Sequence, residues 1–281
     1  MRTTPRLITP ARLVLAMLLA GSLQAAPVST TSQELEGAVE GCARHLGTMP
    51  VALGQELSFP LNVASWNIQK SGNPGWLDDL TTFAGDTQLT FVQEAALFAN
   101  LAEVRPNAPL YQSFSQGYTS GDLQTGVMTL STHAPTMQCN FTRLEPWLGT
   151  PKAAAVTEHA LSGYSQRLLA INLHAVNFTL GTEDLRQQLR PLKTLLSHHR
   201  GPVILAGDFN TWSDARQTLV DAALARYGLQ PLGFEPDLRT TAFGRPLDHI
   251  FVRGLAALHT EVIPVRSSDH NMLRARLQLT M

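Results

Sequence analysis

The sequence lacks several features that identify common protein classes. Its N-terminal apolar run, "LVLAMLLA" at residues 13–20, is far shorter than the roughly 20 residues that a membrane-spanning helix needs. Internal repeats and low-complexity tracts are absent. Charged residues make up only 15% of the chain against 44% hydrophobic residues, which argues against global disorder and leaves enough apolar side chains for a sizeable core.

The short motifs of several enzyme classes are also missing. The chain contains no serine elbow G-x-S-x-G, no phosphate-binding P-loop, no H-E-x-x-H and no C-x-x-C. Serine-hydrolase, nucleotide-loop and zinc-site functions therefore have no support. The formal net charge is −1, unlike the strongly basic balance of proteins that bind nucleic acid through many phosphates.

The first 26 residues have the pattern of a secretory signal. Arg2, Arg6 and Arg12 precede the apolar run, and small residues follow it up to Ala25 and Ala26. This predicts an exported bacterial protein, periplasmic or secreted, with no transmembrane segment in the mature chain. An uncleaved anchor is the alternative. Cleavage after residue 26 removes three arginines and no acidic residue, which changes the net charge from −1 to −4.

The two cysteines leave their redox state open. An oxidising compartment permits a disulfide between Cys42 and Cys139, and two buried free thiols fit the sequence equally well.

The chain divides into residues 1–26, a lead-in at residues 27–60 with one helix, and one continuous domain at residues 61–281. Helices are predicted after Thr182 and Ser213, residues that favour helix N-termini, and the second helix is expected to end at Tyr227 before Gly228. The pattern favours sheets covered by helices. Strands are predicted at "LNVASWNI", "QLTFVQE", "TGVMTLST", "AAAVTEHAL", "QRLLAINLHAV", "PVILAGD", "LDHIFVRG" and "NMLRARLQL".

Polar side chains recur where these apolar runs begin or end, which a single turn would not explain. Oxygen and amide ligands from separate strand ends suit a hard divalent cation such as Mg²⁺. Histidine, aspartate and asparagine beside such a metal suit phosphoryl chemistry, in which one group activates water and others hold the charge on phosphate oxygens. The residues are Asn67, Gln93, Glu94, Asn172, His174, Asn177, Asp208, Asn210, Asp248, Asp269 and His270.

In this order and spacing, the stretches from about Asn62 to Leu277 resemble the endonuclease/exonuclease/phosphatase superfamily, also called DNase I-like. The segments "HAVNFTLG", "RPLDHIFVRGL" and "SSDHN" are similar to those of a secreted bacterial branch. The resemblance implies an α/β (α+β) fold, a four-layer αββα sandwich. Two facing, mostly antiparallel β-sheets would have helices outside and the active site at one rim.

The resemblance also assigns roles to residues. Asn67, Glu94 and Asp269 match the positions at the catalytic Mg²⁺, for which Mn²⁺ can substitute. The positions matching catalytic residues are His174, Asp208, Asn210, Asp248 and His270, with Asp248 orienting His270. Asn177 and Lys152 match positions near the substrate phosphate. Whether Asp208 or His270 is the general base stays open.

The predicted activity is that of a metal-dependent phosphoric ester hydrolase, a phosphodiesterase or nuclease acting as a monomer on a phosphate ester. Nucleic acid is a possible substrate that the charge does not strongly indicate. A small-substrate phosphatase and a nucleotide or lipid phosphodiesterase are alternatives. A catalytically dead binding module on the same fold is disfavoured because every site position is filled.

Overall fold

The computed structural model describes residues 32–96, 104–105, 108–120, 123–145, 151–177 and 179–280. The predicted signal at residues 1–26 lies outside the described residues. Within them, no helix combines the length and apolar character needed to cross a membrane.

The described residues form four α-helices and fourteen strands, several of them very short. The helices are α1 (Ser32–His45), α2 (Trp76–Asp86), α3 (Glu183–His198) and α4 (Asp214–Ala225). The strands are β1 (Leu61–Asn67), β2 (Leu89–Ala96), β3 (Tyr111–Ser120), β4 (Leu123–Ser131), β5 (Met137–Leu144), β6 (Pro151–His159), β7 (Leu168–His174), β8 (Val203–Asp208), β9 (Gln230–Pro231), β10 (Thr241–Ala242), β11 (Arg245–Pro246), β12 (Asp248–Arg253), β13 (Leu255–Ile263) and β14 (Met272–Leu279).

The strands build two six-stranded sheets and a small hairpin of β10 and β11. Sheet one has the order β13-β14-β1-β2-β4-β3, and sheet two has the order β5-β6-β7-β8-β12-β9. Each sheet is antiparallel except for one parallel pair near its centre, β1 with β2 and β7 with β8. Because parallel neighbours end at the same edge, each central pair delivers its C-terminal residues to one rim.

The buried apolar residues form three main clusters, one between the two sheets and one on the outer face of each sheet. Val63, Phe91 and Leu273 of sheet one meet Ile204 and Ile250 of sheet two in the core between the sheets. Helix α2 packs on the outside of sheet one, and helices α1, α3 and α4 pack on the outside of sheet two. The predicted four-layer αββα sandwich is therefore confirmed.

Helix α1, in the predicted lead-in, is joined covalently to sheet two. A disulfide links Cys42 of this helix to Cys139 of β5, with their Cα atoms 6.2 Å apart. Val39 and Ala43 are buried in the same layer as the stripe of leucines on α3. Residues 32–45 are thus part of the packed outer layer.

A buried pair of amides joins the two sheets beneath the rim. The side-chain nitrogen Nε2 of Gln93 in β2 donates to Oδ1 of Asn172 in β7 at 2.7 Å. Nδ2 of Asn172 donates in turn to the carbonyl oxygens of Val92 and Met128 in sheet one. These two polar residues belong to the sheet interface and do not line the cleft described below.

Candidate active site at the rim of the two sheets

The remaining polar strand ends converge on one cleft of about 670 Å³ at the rim. Sequence-predicted residues in its lining are Glu94, Lys152, His174, Asn177, Asp208, Asn210, Asp269 and His270. Asn67 and Asp248 lie directly behind this lining, each hydrogen-bonded to one of its members. All ten residues that the sequence assigned to chemistry or phosphate binding are therefore brought together, whereas the two cysteines lie in the α1–β5 disulfide.

The register of the strands explains this convergence. His174 and Asp208 are paired neighbours at the ends of the parallel strands β7 and β8. Asp248 begins β12 directly opposite Asp208, because β12 runs antiparallel to β8. Asn67 ends β1 in sheet one, and the segment with Asp269 and His270 leads into β14 beside it.

The close approach of β7 and β8 requires a glycine before Asp208. Gly207 has φ of +147°, and a Cβ atom there would lie 1.9 Å from the carbonyl oxygen of Leu173. Any side chain would therefore push the two strands apart. The "AGD" sequence is what lets the His174 and Asp208 side chains stand next to each other.

Asp248 and His270 form the shortest polar contact of the catalytic group. Oδ2 of Asp248 lies 2.7 Å from Nδ1 of His270, and both residues are buried. Burial alone would lower the pKa of His270, but the adjacent Asp248 carboxylate outweighs it and raises the pKa to about 10. His270 is therefore a cation at neutral pH, with Nδ1 held by the carboxylate.

Asp208 sits in the middle of the site and is tied to both of its walls. Its Oδ1 accepts from the backbone N–H of Asn210 at 2.9 Å, and its Oδ2 accepts from Nδ2 of Asn67 at 3.1 Å. Burial, reinforced by the charge of Asp248, raises the pKa of Asp208 to about 6 although the His270 cation opposes this shift. Asp208 thus keeps a proton-accepting carboxylate close to neutral pH.

His174 is a neutral neighbour of this carboxylate. Its Nε2 lies 3.6 Å from Oδ2 of Asp208, 3.8 Å from Oε1 of Glu94 and 3.0 Å from Nζ of Lys152. Burial, and then the charge of Lys152, lowers the pKa of His174 well below its usual value. An uncharged ring beside a lysine ammonium presents Nε2 as an acceptor.

Two site residues have strained backbone conformations. Glu94 has φ of +50°, where a bulge interrupts the pairing of β2 with β4 between Val92 and Ala95. Asn210 has φ of +49°, and its Nδ2 donates to the carbonyl oxygen of Ala175 at 3.0 Å. Left-handed conformations of this kind cost residues other than glycine about 1–3 kcal/mol and cluster at functional sites.

The predicted metal ligands fit a hard divalent cation by their chemistry. Glu94 and Asp269 offer carboxylates, and Oδ1 of Asn67 accepts one hydrogen bond from the backbone N–H of Gln69, which leaves it a second lone pair. The Asp208, Asp248 and His270 side chains also lie within 4.8 Å of one another. Within that cluster, Nδ1 of His270 is engaged by Oδ2 of Asp248.

Arg216 is a positioning residue that the sequence did not single out. It is fully buried, and its guanidinium donates to the carbonyl oxygens of Asn210 (2.7 Å) and Val176 and to Oγ1 of Thr179 (3.1 Å). One side chain thereby connects the loop after β8 to the loop after β7. Backbone acceptors leave no trace in the sequence, so no pattern could have revealed this role.

Glu145 is a second contributor that no sequence motif marks. It is buried at the end of β5, lines the cleft, and accepts a hydrogen bond through Oε1 from the backbone N–H of Asn177 at 2.6 Å. This contact fixes the backbone of the Asn177 segment, which follows His174.

Comparison with known proteins identifies the family and agrees with the fold. The model of the Endonuclease/Exonuclease/phosphatase family matches residues 64–270. A UPF0294 protein of Vibrio cholerae is 42% identical over 225 residues, which cover 80% of each chain. A UPF0294 protein of Yersinia pseudotuberculosis is 39% identical over 250 residues, covering 88% of this chain and 95% of the relative.

Solved structures share the fold at low sequence identity. A family protein from Leptotrichia buccalis has a TM-score of 0.62 at 15% identity, covering 78% of this chain and all of the other. The human Nocturnin catalytic domain has a TM-score of 0.60 at 17% identity, covering 80% and 96%. Family members are phosphoesterases and nucleases that generally use divalent metals. This chain, matched over most of its length, belongs to the endonuclease/exonuclease/phosphatase family.

Proposed function

We propose that the protein is an Mg²⁺-dependent phosphodiesterase or nuclease that hydrolyses a P–O bond by attack of water. One observation carries the proposal. His174, Asp208 and His270 line a single cleft together with the oxygen donors Glu94 and Asp269, and Asp248 is hydrogen-bonded to His270 behind that lining. A dead binding module would have no need for a cationic histidine, a carboxylate of raised pKa and strained ligand positions in one place.

The residues of the chain divide the chemistry between them. Asp208 accepts the proton of the attacking water, because its carboxylate ionises near neutral pH while His270 is already protonated. His270, held by Asp248, donates a hydrogen bond to a phosphate oxygen or to the leaving group as charge develops there. Lys152, Asn177 and Asn210 orient the phosphate on the sheet-two side of the cleft.

The predicted ligands Asn67, Glu94 and Asp269 would hold Mg²⁺ on the sheet-one side. Bound there, the cation would stabilise the negative charge that develops on the phosphate oxygens. Mn²⁺ has a similar preference for oxygen ligands, so it should substitute.

We also propose that the protein is exported to the periplasm or beyond. The pattern at residues 1–26 supports this, and so does the Cys42–Cys139 disulfide, because such bonds persist in oxidising compartments. Fractionation of cells that express the full chain, with immunoblotting for a shortened product, tests this. A full-length protein confined to the cytoplasm would contradict it.

A substrate panel tests the proposed reaction. Purified protein is assayed with Mg²⁺, Mn²⁺ or EDTA on plasmid DNA, RNA, bis-p-nitrophenyl phosphate, p-nitrophenyl phosphate and sphingomyelin. We expect metal-dependent cleavage of diesters and little cleavage of the monoester. Cleavage of p-nitrophenyl phosphate alone would indicate the alternative, a small-substrate phosphatase. This alternative is included because a structural neighbour from Bacteroides thetaiotaomicron, with a TM-score of 0.58, is a mannosyl-6-phosphatase.

Matched variants separate the site from general effects of substitution. His270→Gln removes the buried cation of the site, whereas His198→Gln changes an exposed histidine at the end of α3. We expect the first to lose most activity and the second to keep it. Equal activity of the two variants, or no activity of the wild type on any substrate with any metal, would overturn the proposal.

A further inference from the structure

A lysine at the mouth of the cleft has no role in the reaction described above. Lys70 lines the same cleft as Glu94 and Asp269 but is exposed. Among the described residues its ammonium has no ion-pair partner within 4.0 Å and no hydrogen-bond partner. Lys152, in contrast, contacts His174 at the reacting centre.

Lys70 lies in a turn with an unusual backbone. Gln69, Lys70 and Ser71 have φ values of +48°, +58° and +59°, three consecutive left-handed residues without a glycine. Each such residue costs about 1–3 kcal/mol, so the surrounding structure must hold the turn in place. Strain of this size in a cleft wall points to a function for the side chain that it presents.

The turn is held by local hydrogen bonds and by one contact with a site residue, Asn67. Oδ1 of Asn67 accepts from the backbone N–H of Gln69 at 3.0 Å, and Nδ2 of Asn73 donates to Oε1 of Gln69 at 2.5 Å. The backbone N–H of Ser71 donates to the carbonyl of Ile68 at 3.0 Å. The position of Lys70 is therefore coupled to Asn67, a predicted metal ligand.

The use of lysine in this chain is itself uneven. Only three of its 21 lysines and arginines are lysines, namely Lys70, Lys152 and Lys193. Two of these three line the cleft, and they come from different sheets. Lys70 follows β1 of sheet one, and Lys152 lies in β6 of sheet two.

We propose that Lys70 binds a second phosphate of the substrate, next to the phosphate that is hydrolysed. The scissile phosphate is already served by Lys152 and His270. The cleft, at about 670 Å³, is several times larger than one phosphate group. The Lys70 ammonium, which has no partner at the mouth of the cleft, is placed to bind the next anionic group of a longer substrate. This inference rests on the proposed phosphodiesterase function and names a recognition element for it.

Kinetics on paired substrates test the subsite. The reference substrate is thymidine 5′-(p-nitrophenyl phosphate), which has one phosphate. The second substrate is the same compound with a phosphate on its 3′-oxygen. The third is the dinucleotide in which a phosphodiester joins that 3′-oxygen to another nucleoside. We expect wild-type protein to have a KM about fivefold to tenfold lower for the two compounds with a second phosphate, a preference that weakens as salt is raised. A lower KM for the compound with the terminal 3′-phosphate would indicate that the second phosphate belongs to a small-molecule substrate. A lower KM for the dinucleotide would indicate that it belongs to a nucleic-acid strand.

The variant Lys70→Met removes the charge while keeping a side chain of similar length and backbone preference. It should reduce the KM preference to about unity, and Lys70→Arg should retain most of it. Lys193→Met, in the outer helix α3, should behave as wild type. An undiminished preference in Lys70→Met, or an equal loss of kcat/KM on all three substrates, would overturn the inference.

A binding measurement distinguishes failure of the inference from failure of the proposed function. Isothermal titration calorimetry with Mg²⁺ present compares thymidine 3′,5′-bisphosphate with thymidine 5′-monophosphate. Tighter binding of the bisphosphate that Lys70→Met abolishes supports the subsite even if no substrate is hydrolysed. Equal affinity of the two ligands for the wild type contradicts it even if diesters are cleaved.

Discussion

Asp248 and His270 hydrogen-bond across 2.7 Å although they belong to different sheets. Asp248 begins β12 of sheet two, whereas His270 lies in the segment that enters β14 of sheet one. The backbone carbonyl of His270 also accepts from Nε1 of Trp66 in sheet one at 2.9 Å. The charge on the imidazole therefore depends on a contact that only the assembled sandwich provides.

Asp248→Asn should lower kcat by about 10²- to 10⁴-fold with little change in KM, because the amide cannot stabilise the imidazolium. Steady-state kinetics on the best diester of the panel measure this. The control is Asp86→Asn, a change at a largely exposed carboxylate that should leave kcat unaltered. Turnover of Asp248→Asn near the wild-type rate would remove the pair from the reaction.

Glu94→Gln should weaken the response to metal, because the amide keeps the shape of the side chain but loses its negative charge. We expect the Mg²⁺ concentration for half-maximal activity to rise at least about tenfold. EDTA should abolish wild-type activity, and added Mg²⁺ should restore it. Glu40→Gln, at an exposed position of α1, is the control. Full activity in EDTA would contradict a metal-dependent mechanism.

Arg216→Met should destabilise the protein by about 3 kcal/mol or more, since it leaves buried acceptors on Asn210, Val176 and Thr179 without donors. Arg216→Lys should not rescue it, because a single ammonium lacks the spread of the guanidinium. Urea unfolding measures the loss. Arg226→Met, at an exposed arginine, should change the free energy of unfolding by less than about 0.5 kcal/mol. A urea midpoint for Arg216→Met equal to that of the wild type would show that the contacts of Arg216 with the loops after β7 and β8 do not stabilise the fold.

Acid should destabilise the fold through His159, which is fully buried away from the cleft with Nε2 against Oγ1 of Thr157. Burial, with the charge of His133 adding to it, lowers the pKa of His159 to about 3. The unfolded chain binds this proton near pH 6.5, so stability is complete above that pH and is lost as the pH falls toward 3.

The slope of this loss should approach about 1.4 kcal/mol per pH unit, measured as the free energy of unfolding in urea between pH 4 and pH 8. His159→Gln, which does not titrate, should have a flatter curve than the exposed-site control His198→Gln. Parallel curves for the two variants would rule out His159 as the source.

Reduction of the disulfide should cost about 2–5 kcal/mol, because the bond joins residues 97 positions apart and so restricts the unfolded chain. The double variant Cys42→Ala and Cys139→Ala should have the same midpoint as wild type treated with dithiothreitol. An unchanged midpoint after complete reduction would show that packing alone holds α1 on sheet two.

The sequence predicted the elements whose local signals were strong. Buried strands such as β8 read as continuous apolar runs, and Ser213 caps α4, its Oγ accepting from the backbone N–H of Arg216. The predicted end of this helix at Tyr227 lies two residues beyond Ala225, because Arg226 to Gly228 form a turn. Helix α2 was missed, since Gly75 at its start makes no side-chain cap.

Strands β3, β5 and β13 were missed for a related reason. Each carries many polar or exposed residues, because β3 and β13 are the outer strands of sheet one and β5 is an outer strand of sheet two. The residues of the cleft could be listed from the order of the motifs, and the expected contact between Asp248 and His270 is present, but the contacts of Asn67 with Asp208 and of Lys152 with His174 were not predicted. Register across two sheets decides that Asp248 faces His270 and that Gln93 and Asn172 lie elsewhere.

The Gln93–Asn172 pair gives the sandwich a fixed alignment. The hydrophobic effect is non-directional, so hydrogen bonds between specific groups add a restriction on the offset between the two sheets that buried apolar area alone does not supply. Hydrogen bonds of 2.7–3.2 Å between specific amides and carbonyls are broken by a shift of one residue. The amide pair thus fixes the position of one sheet relative to the other, and it thereby keeps the sheet-one and sheet-two residues of the cleft in alignment.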